Sequence, residues 1–397
     1  MSDENLNIPE HLNHIRAAAE RAIRPVRPTD EVTAASKNLL FSAQRTEAGR
    51  KLPPYYLVYF LLVDLLKFKN LGQFEKLAWS VPVDYKGKAF LIEHRKFGLG
   101  IFVDEPKAYE KEAEQIVVRI QKATKAARPY FEWYAEKAVA DSKLNVKNHT
   151  DELHQRFQFF LTEYQKTVRA IRADEERRRN KLSREERLAD WGDYFSEPFT
   201  LSEKAVWLAS SVIDAFYSFT EHVFIHLAIL QGHIGTGNEV ASLAGADWAN
   251  KFKAVFNLNE PDEKRFYDDL TEIRRQHRNF VAHGSFGKQG EAFTFHSGAG
   301  AAPVLLPHLR GTRNFALSGP LTVEDPEAIR VILDFMEYLW AGPRERARIY
   351  LQRSSLPVIL TLAADGTYAK AMKSSEEMES LVEYLVGEWD RSANMDW

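Results

Sequence analysis

The strongest constraint on what this chain can fold into is the stretch from about Pro106 to Leu188, which reads as long, charged helices. KAYEKEAEQIVVRIQKATKAARPYFEWYAEKAV forms one, bent near Pro129, where the ring removes a backbone donor. DELHQRFQFFLTEYQKTVRAIRADEERRRNKLSREERL forms another. From Arg169 to Arg187 both charge signs are dense, and mixed charge at i,i+4 spacing marks a solvated helix face ahead of an RNA-binding one. The fold class expected is mainly α with small β elements: a C-terminal helical bundle plus an N-terminal region of α+β and long-helix character.

The clearest β signal lies upstream of those helices. WSVPVDYKGKAFLIEHRKFGLGIFV, Trp79 to Val103, carries short β-prone runs separated by Lys-Gly and Gly-Leu-Gly, which predicts a small antiparallel element. Residues 1–80 look mostly helical, with Pro53 and Pro54 introducing YYLVYFLLVDLL, Tyr55 to Leu66. That run is too short to span a bilayer and is broken by Asp64, so it predicts a buried helix. A length of 397 residues favours two or three domains. Composition divides them as 1–104, an α+β region of unassigned role; 105–192, the long charged helices; and 196–397, a bundle with β-hairpin insertions.

A net charge of only −3 means that any nucleic-acid site must be a local patch. The 25 Phe, 15 Tyr and 8 Trp supply ample core material. The absence of cysteine excludes a disulfide framework, a thiolate zinc site and a cysteine nucleophile, and suits a reducing cytosol. MSDENLNIPEHL lacks the basic region and apolar core of a signal peptide, so a cytoplasmic protein without a membrane partner is expected.

In the C-terminal half, GDYFSEPF reads as a linker, and Thr200 with Glu203 fits a capping box opening a helix that continues to about Leu230. Gly232, Gly235 and Gly237 break it, and a short helix follows from about Trp248 to Phe256. Pro261 opens the next helix, on which Phe266, Leu270, Ile273, His277 and Phe280 form one apolar stripe. Gly284 follows as a natural C-terminal cap. Residues 285–320 read as a loop or hairpin excursion, and a helix starts near Pro326. Asp365-Gly366 marks a second hairpin, before a last helix with Ser374 and Glu377 at capping-box spacing.

RRQHRNFVAHG, residues 274 to 284, is where chemistry concentrates. Arginine and histidine near a helix C-terminus complement the macrodipole. His277, on the apolar stripe, belongs to the bundle interior, and Arg274 and Arg275 need be no more than a solvated flank. That account leaves Arg278, Asn279 and His283, within two turns of one helix end. Asn279 and His283 are one turn apart on one face. His283 sits where the negative helix end favours the imidazolium by about 0.3–1 kcal/mol. It is poised for acid–base work near neutral pH. Arg278 brings a permanently charged fork suited to phosphate. Five residues on an ideal helix turn about 140° beyond one full turn, so Arg278 and His283 diverge. A distorted last turn at Gly284 reconciles them, or a second copy of the helix across a two-fold axis completes the site; the second is favoured.

Arg278-Asn279-Phe-Val-Ala-His283 resembles the R-N-x-x-x-H motif of the HEPN superfamily. Ala282 and Gly284, flanking the histidine, are similar to many bacterial members. The resemblance covers the C-terminal half only. It implies an up-and-down helical bundle over roughly 200–345 and a metal-independent, cofactor-free endoribonuclease working as a homodimer with a composite active site. His283 would move a proton at the RNA 2′-hydroxyl or the leaving oxygen. Arg278 would stabilise charge on the phosphorus, and Asn279 would orient His283 or the phosphate. A 2′,3′-cyclic phosphate and a 5′-hydroxyl would result. Arg274, Arg275 and Lys288 would contact the RNA backbone. The implied biology is bacterial anti-phage defence, abortive infection or a toxin system, with a phage protein, antitoxin or other trigger as regulatory partner. The N-terminal half would then sense, inhibit or recruit. The alternative is a non-catalytic HEPN module for dimerisation or for binding nucleotide or RNA.

Two weaker signals remain. His222 and His226 in EHVFIHLA stand at i,i+4, a spacing usable by metal, but no third ligand is evident and a bundle-lining role is preferred. GSFGKQG fails as a phosphate loop because Gln289 follows Lys288.

Overall fold

The computed structural model describes residues 9–29, 42–180, 197–283, 291–298, 300–305, 317 and 324–395. Within the helices, the side chains of residues 178–180, 197–199 and 279–283 lie outside the described set. The chain is mainly α with small β elements. It divides into two compact units, Met1–Asp141 with Glu383–Trp397, and Ser142–Val382.

The first unit is built on a five-stranded antiparallel sheet. Its strands are β1 (Arg27–Pro28), β2 (Gln44–Arg45), β3 (Leu77–Tyr85), β4 (Lys88–Arg95) and β5 (Gly98–Val103), in the order β1-β3-β4-β5-β2. Lys86 and Gly87, at φ 55° and 88°, make the tight β3–β4 turn with the left-handed pair that suits strand twist. The second turn is Lys96-Phe97. Gly98-Leu-Gly100 therefore lies inside β5 and not between strands, a correction to the spacing argument. Gly100 leaves room there for the Arg45 side chain, since a Cβ would fall 2.7 Å from its Nε.

Alternation along β4 sends Phe90 and Ile92 to one face and Ala89 and Leu91 to the other. The first face packs against α1 (Asn13–Ile23), α2 (Tyr55–Tyr59) with its π-helical continuation Phe60–Leu65, and α3 (Glu110–Ala126). Ile15, Ala19 and Ile23 recur every four residues on α1. Ala113, Ile116, Val117, Ile120 and Ala123 do the same work on α3. Tyr55–Leu66 is helical as expected, with Val58, Leu61, Leu62 and Leu65 fully enclosed while Tyr55 and Tyr56 at its start are exposed. On the other face the buried Glu93 accepts from Ser80 Oγ at 2.9 Å and pairs with Arg95 at 2.6 Å. A buried carboxylate is tolerated only with such partners. α4 (Arg128–Ala140) opens with Pro129 in its first turn, which accounts for the expected bend: the helix restarts there.

The second unit is a helical bundle. α5 (Thr150–Asn180) lies along α6 (Glu197–Leu230), with rings meeting at Phe157–Phe216 and His154–Phe219. α7 (Gly237–Gly245), α8 (Trp248–Lys253), α9 (Pro261–His283) and α10 (Asp325–Leu339) complete the framework. Phe216, Phe224, Trp248, Phe252, Phe256, Phe266 and Phe335 form one aromatic cluster at their centre. The indole N–H of Trp248 is satisfied by Thr220 Oγ1 at 2.9 Å.

Several local expectations hold and several do not. α9 opens at Pro261 and β7 (Glu291–Ser297) pairs with β8 (Gly300–Leu305) as a hairpin in the region read as a loop or hairpin excursion. Ser374 Oγ accepts from Glu377 N at 3.1 Å, so the expected N-terminal cap is present at the start of the last helix. α6, however, begins at Glu197, so Thr200 lies inside the helix and does not cap it. Pro198 sits in the first turn, where a missing N–H costs nothing. The linker reading is corrected at 197–199 to that extent; residues 192–196 lie outside the described residues. Asp365-Gly366 makes no hairpin. It joins two short helices, α11 (Leu360–Ala364) and α12 (Thr367–Ala371), with Gly366 at φ 83°. Only Val358–Ile359, β9, is extended, and it pairs with β6 (Asn145–Val146). α13 (Ser375–Asn394) closes the chain. Among the described residues no helix is long and apolar enough to cross a membrane.

Candidate functional site

Residues 274–283 of the motif stretch form the last turns of α9, and three residues of α6 anchor them. His277 Nε2 lies 2.8 Å from Asp214 Oδ1, and the His277 side chain is only 9% exposed, as expected of a residue on the apolar stripe. Arg274 reaches Glu221 at 2.6 Å, and the same carboxylate takes Lys251 of α8 at 3.2 Å. The Arg274 guanidinium also lies 5.4 Å from the centre of the Tyr217 ring. Tyr217 donates its hydroxyl to Leu270 O at 2.6 Å, and burial pushes its phenol well above the ordinary range. These contacts fix the azimuth of α9 against α6 through its penultimate turns.

The six predicted site residues fall into three groups. Arg274 and Arg275 are engaged: Arg274 by Glu221, and Arg275 by Glu272 on its own helix at 2.6 Å. Either would have to exchange a carboxylate for a phosphate to touch RNA. Arg278, one turn beyond Arg274, is exposed, and among the described residues it has no ion-pair partner. Asn279 and His283 are helical positions of α9 whose side chains lie outside the described residues. Lys288, and Gly284 as cap, also lie outside them. The helix is continuous through His283, so the twist between Arg278 and His283 is that of a regular helix.

Asp214, Glu221 and Lys251 were not legible as partners of this stretch, although one signal existed. Residues 207, 214 and 221 are spaced by seven, which is two turns of one helix face. The first of them, Trp207, is 65% exposed.

The histidine pair of α6 is tied to backbone. His222 Nε2 accepts from His149 N at 2.8 Å. The two ring nitrogens of His226 face His222 O at 2.9 Å and Lys147 O at 3.0 Å. Burial, with His226 and His149 nearby, pushes His222 down to about 3. Burial also lowers His226, against the pull of those two carbonyls. These imidazoles fasten the start of α5 to α6, and among the described residues no cluster of histidine and carboxylate groups is arranged to hold a metal ion.

No protein-family model, no curated protein and no solved structure matches this chain.

Proposed function

We propose that this chain is a metal-independent endoribonuclease of the HEPN type, acting as a homodimer, with anti-phage defence or a toxin system as its setting. The observation that carries the reading is the selective exposure of Arg278. On one helix, Arg274 and Arg275 are held by carboxylates and His277 by Asp214, while Arg278, which opens R-N-x-x-x-H, is left to solvent. A cation without an ion-pair partner among the described residues is available to a phosphate oxygen.

The chemistry needs no metal. His283 moves the proton of the 2′-hydroxyl or of the leaving oxygen. The 2′-oxygen attacks the adjacent phosphorus, the 5′-oxygen leaves, and a 2′,3′-cyclic phosphate and a 5′-hydroxyl are formed. Arg278 offsets the charge that develops on the phosphoryl oxygens. Asn279 orients the histidine or the phosphate. RNA is required because DNA lacks the internal nucleophile.

The test is incubation of the purified full-length protein with mixed single-stranded RNA in excess EDTA. Cleavage leaving 2′,3′-cyclic phosphate ends is expected, with Arg278→Ala and His283→Ala each reduced by at least about a hundredfold. Cleavage by His283→Ala at the wild-type rate, or RNA left intact by the wild type at every protein concentration, removes the nuclease reading and leaves the non-catalytic module.

A further inference from the structure

Resting on the RNA-cleaving reading, the structure assigns Trp207 a role in that same site: we infer that its indole stacks on an unpaired nucleobase of the RNA beside the cleaved phosphate. The placement follows from the packing of α9 on α6. Near one end, Phe266 and Tyr267 of α9 meet Phe335 and Phe252, the rings that also enclose Phe224 of α6. Further along, His277 of α9 meets Asp214 of α6. The two helices are therefore antiparallel, and continuing α9 towards Arg278 and His283 means moving back along α6 from Asp214 towards Trp207. His283 lies six residues beyond His277, about 9 Å along the axis and about 120° round it, and Trp207 seven residues before Asp214, about 10 Å, so Trp207 is level with the end of α9 that follows Arg278. Seven residues fall within about 20° of a whole number of turns, so Trp207 shares the face of Asp214 and Glu221. That is the face that holds α9.

The chemistry of the surroundings selects the occupant. At 65% exposure Trp207 is among the most exposed large apolar side chains of the second unit. Its neighbours on the helix surface, three and four residues away, are Glu203, Lys204, Ser210 and Ser211. An indole ringed on its own helix by polar side chains is a poor centre for a subunit interface, which needs contiguous apolar area. It is sufficient for a nucleobase, which needs one π-face and a cation for the neighbouring phosphate. Arg278 supplies that cation on the facing helix. A base held in A-form duplex offers no free face, so the substrate class is single-stranded RNA.

The experiment measures binding of a fluorescently labelled, mixed-sequence single-stranded RNA to the full-length His283→Ala protein by anisotropy. Adding Trp207→Ala is expected to weaken binding about tenfold to a hundredfold, while Trp207→Phe stays within about threefold. The salt dependence should keep its slope in Trp207→Ala, because no phosphate contact is lost, whereas Arg278→Ala should flatten it. The exposed position predicts an unchanged melting temperature. Equal affinity with and without the indole overturns the inference and leaves the nuclease reading standing. A halved molar mass for Trp207→Ala, with RNA affinity unchanged, overturns it in favour of a subunit contact. Absence of RNA binding with Trp207 intact overturns the RNA reading itself, and this inference with it.

Discussion

At the scale of single residues, the arginines of the motif helix divide by partner. Glu221 is the residue that decides it, because one carboxylate holds both Arg274 and the nearly buried Lys251, whose side chain is 7% exposed. Removing Glu221 leaves Lys251 enclosed without a counter-charge, and stranding a buried charge is far more costly than losing an exposed pair. With the Glu221 side chain itself 31% exposed, solvent repays part of that cost. Glu221→Gln is expected to lower unfolding stability by about 1–3 kcal/mol. Glu272→Gln, which breaks only the local pair to Arg275, should cost less than about 0.5 kcal/mol. Urea unfolding of the two variants checks this, and equal losses would mean that Lys251 finds another partner. Periodicity alone places His277 inward and Arg278 outward. The carboxylates that make Arg274 and Arg275 structural come from α6 and from within α9, and nothing in RRQHRNFVAHG signals the first of them.

At the scale of elements, helix starts separate what sequence can and cannot specify. Pro261 opens α9 because a proline in the first turn loses no bond. The same rule applied at Pro198 would have placed the start of α6 at Glu197, but the Thr200–Glu203 signature competed with it and lost. The reverse error occurs at α7, whose Thr236–Glu239 capping box is fully formed yet is masked in the sequence by the glycines around it. Asp365-Gly366 failed for another reason. A positive φ serves a hairpin or a helix junction equally, and the flanking Ala363, Ala364, Ala369 and Ala371 favour helix. The α5–α6 junction carries a pH prediction. His222 is held near pKa 3 in the folded chain against an ordinary 6.5. Between those values the unfolded chain binds the extra proton, so stability falls as pH drops below 6.5 and levels off near 3. Buried His226 and half-buried His154 shift in the same direction. Allowing for partial exposure, His222 contributes a slope of about 1 kcal/mol per pH unit. His222→Gln, which can still accept from His149 N, should remove that part of the slope in denaturation measured at pH 7.5 and 5.5. An unchanged slope would show that the proton is taken up elsewhere.

At the scale of the whole molecule, the units divide at Asp141. That point lies inside the run of charged helices that composition groups as 105–192. α3 buries its stripe on the sheet of the first unit, while α5 buries its own along α6. Two helices of like composition thus serve different cores, and composition cannot separate them. The proposed dimer is the other property at this scale, and it follows from one helix. Because α9 is regular through His283, Arg278 and His283 stand about 140° apart, too far round one helix to meet at one phosphate. In the proposed dimer each site would then take its arginine from one subunit and its histidine from the other. Mixing the Arg278→Ala and His283→Ala proteins, each inactive alone, is therefore expected to restore activity. Random exchange makes half the dimers mixed, and each mixed dimer has one intact site of two, giving about a quarter of wild-type activity. If both residues act from the same chain, no mixed dimer contains an intact site and the mixture stays inactive. Wild type behaving as a monomer by light scattering while cleaving RNA would exclude the composite site outright, and would require α9 to unwind near Gly284 when RNA binds.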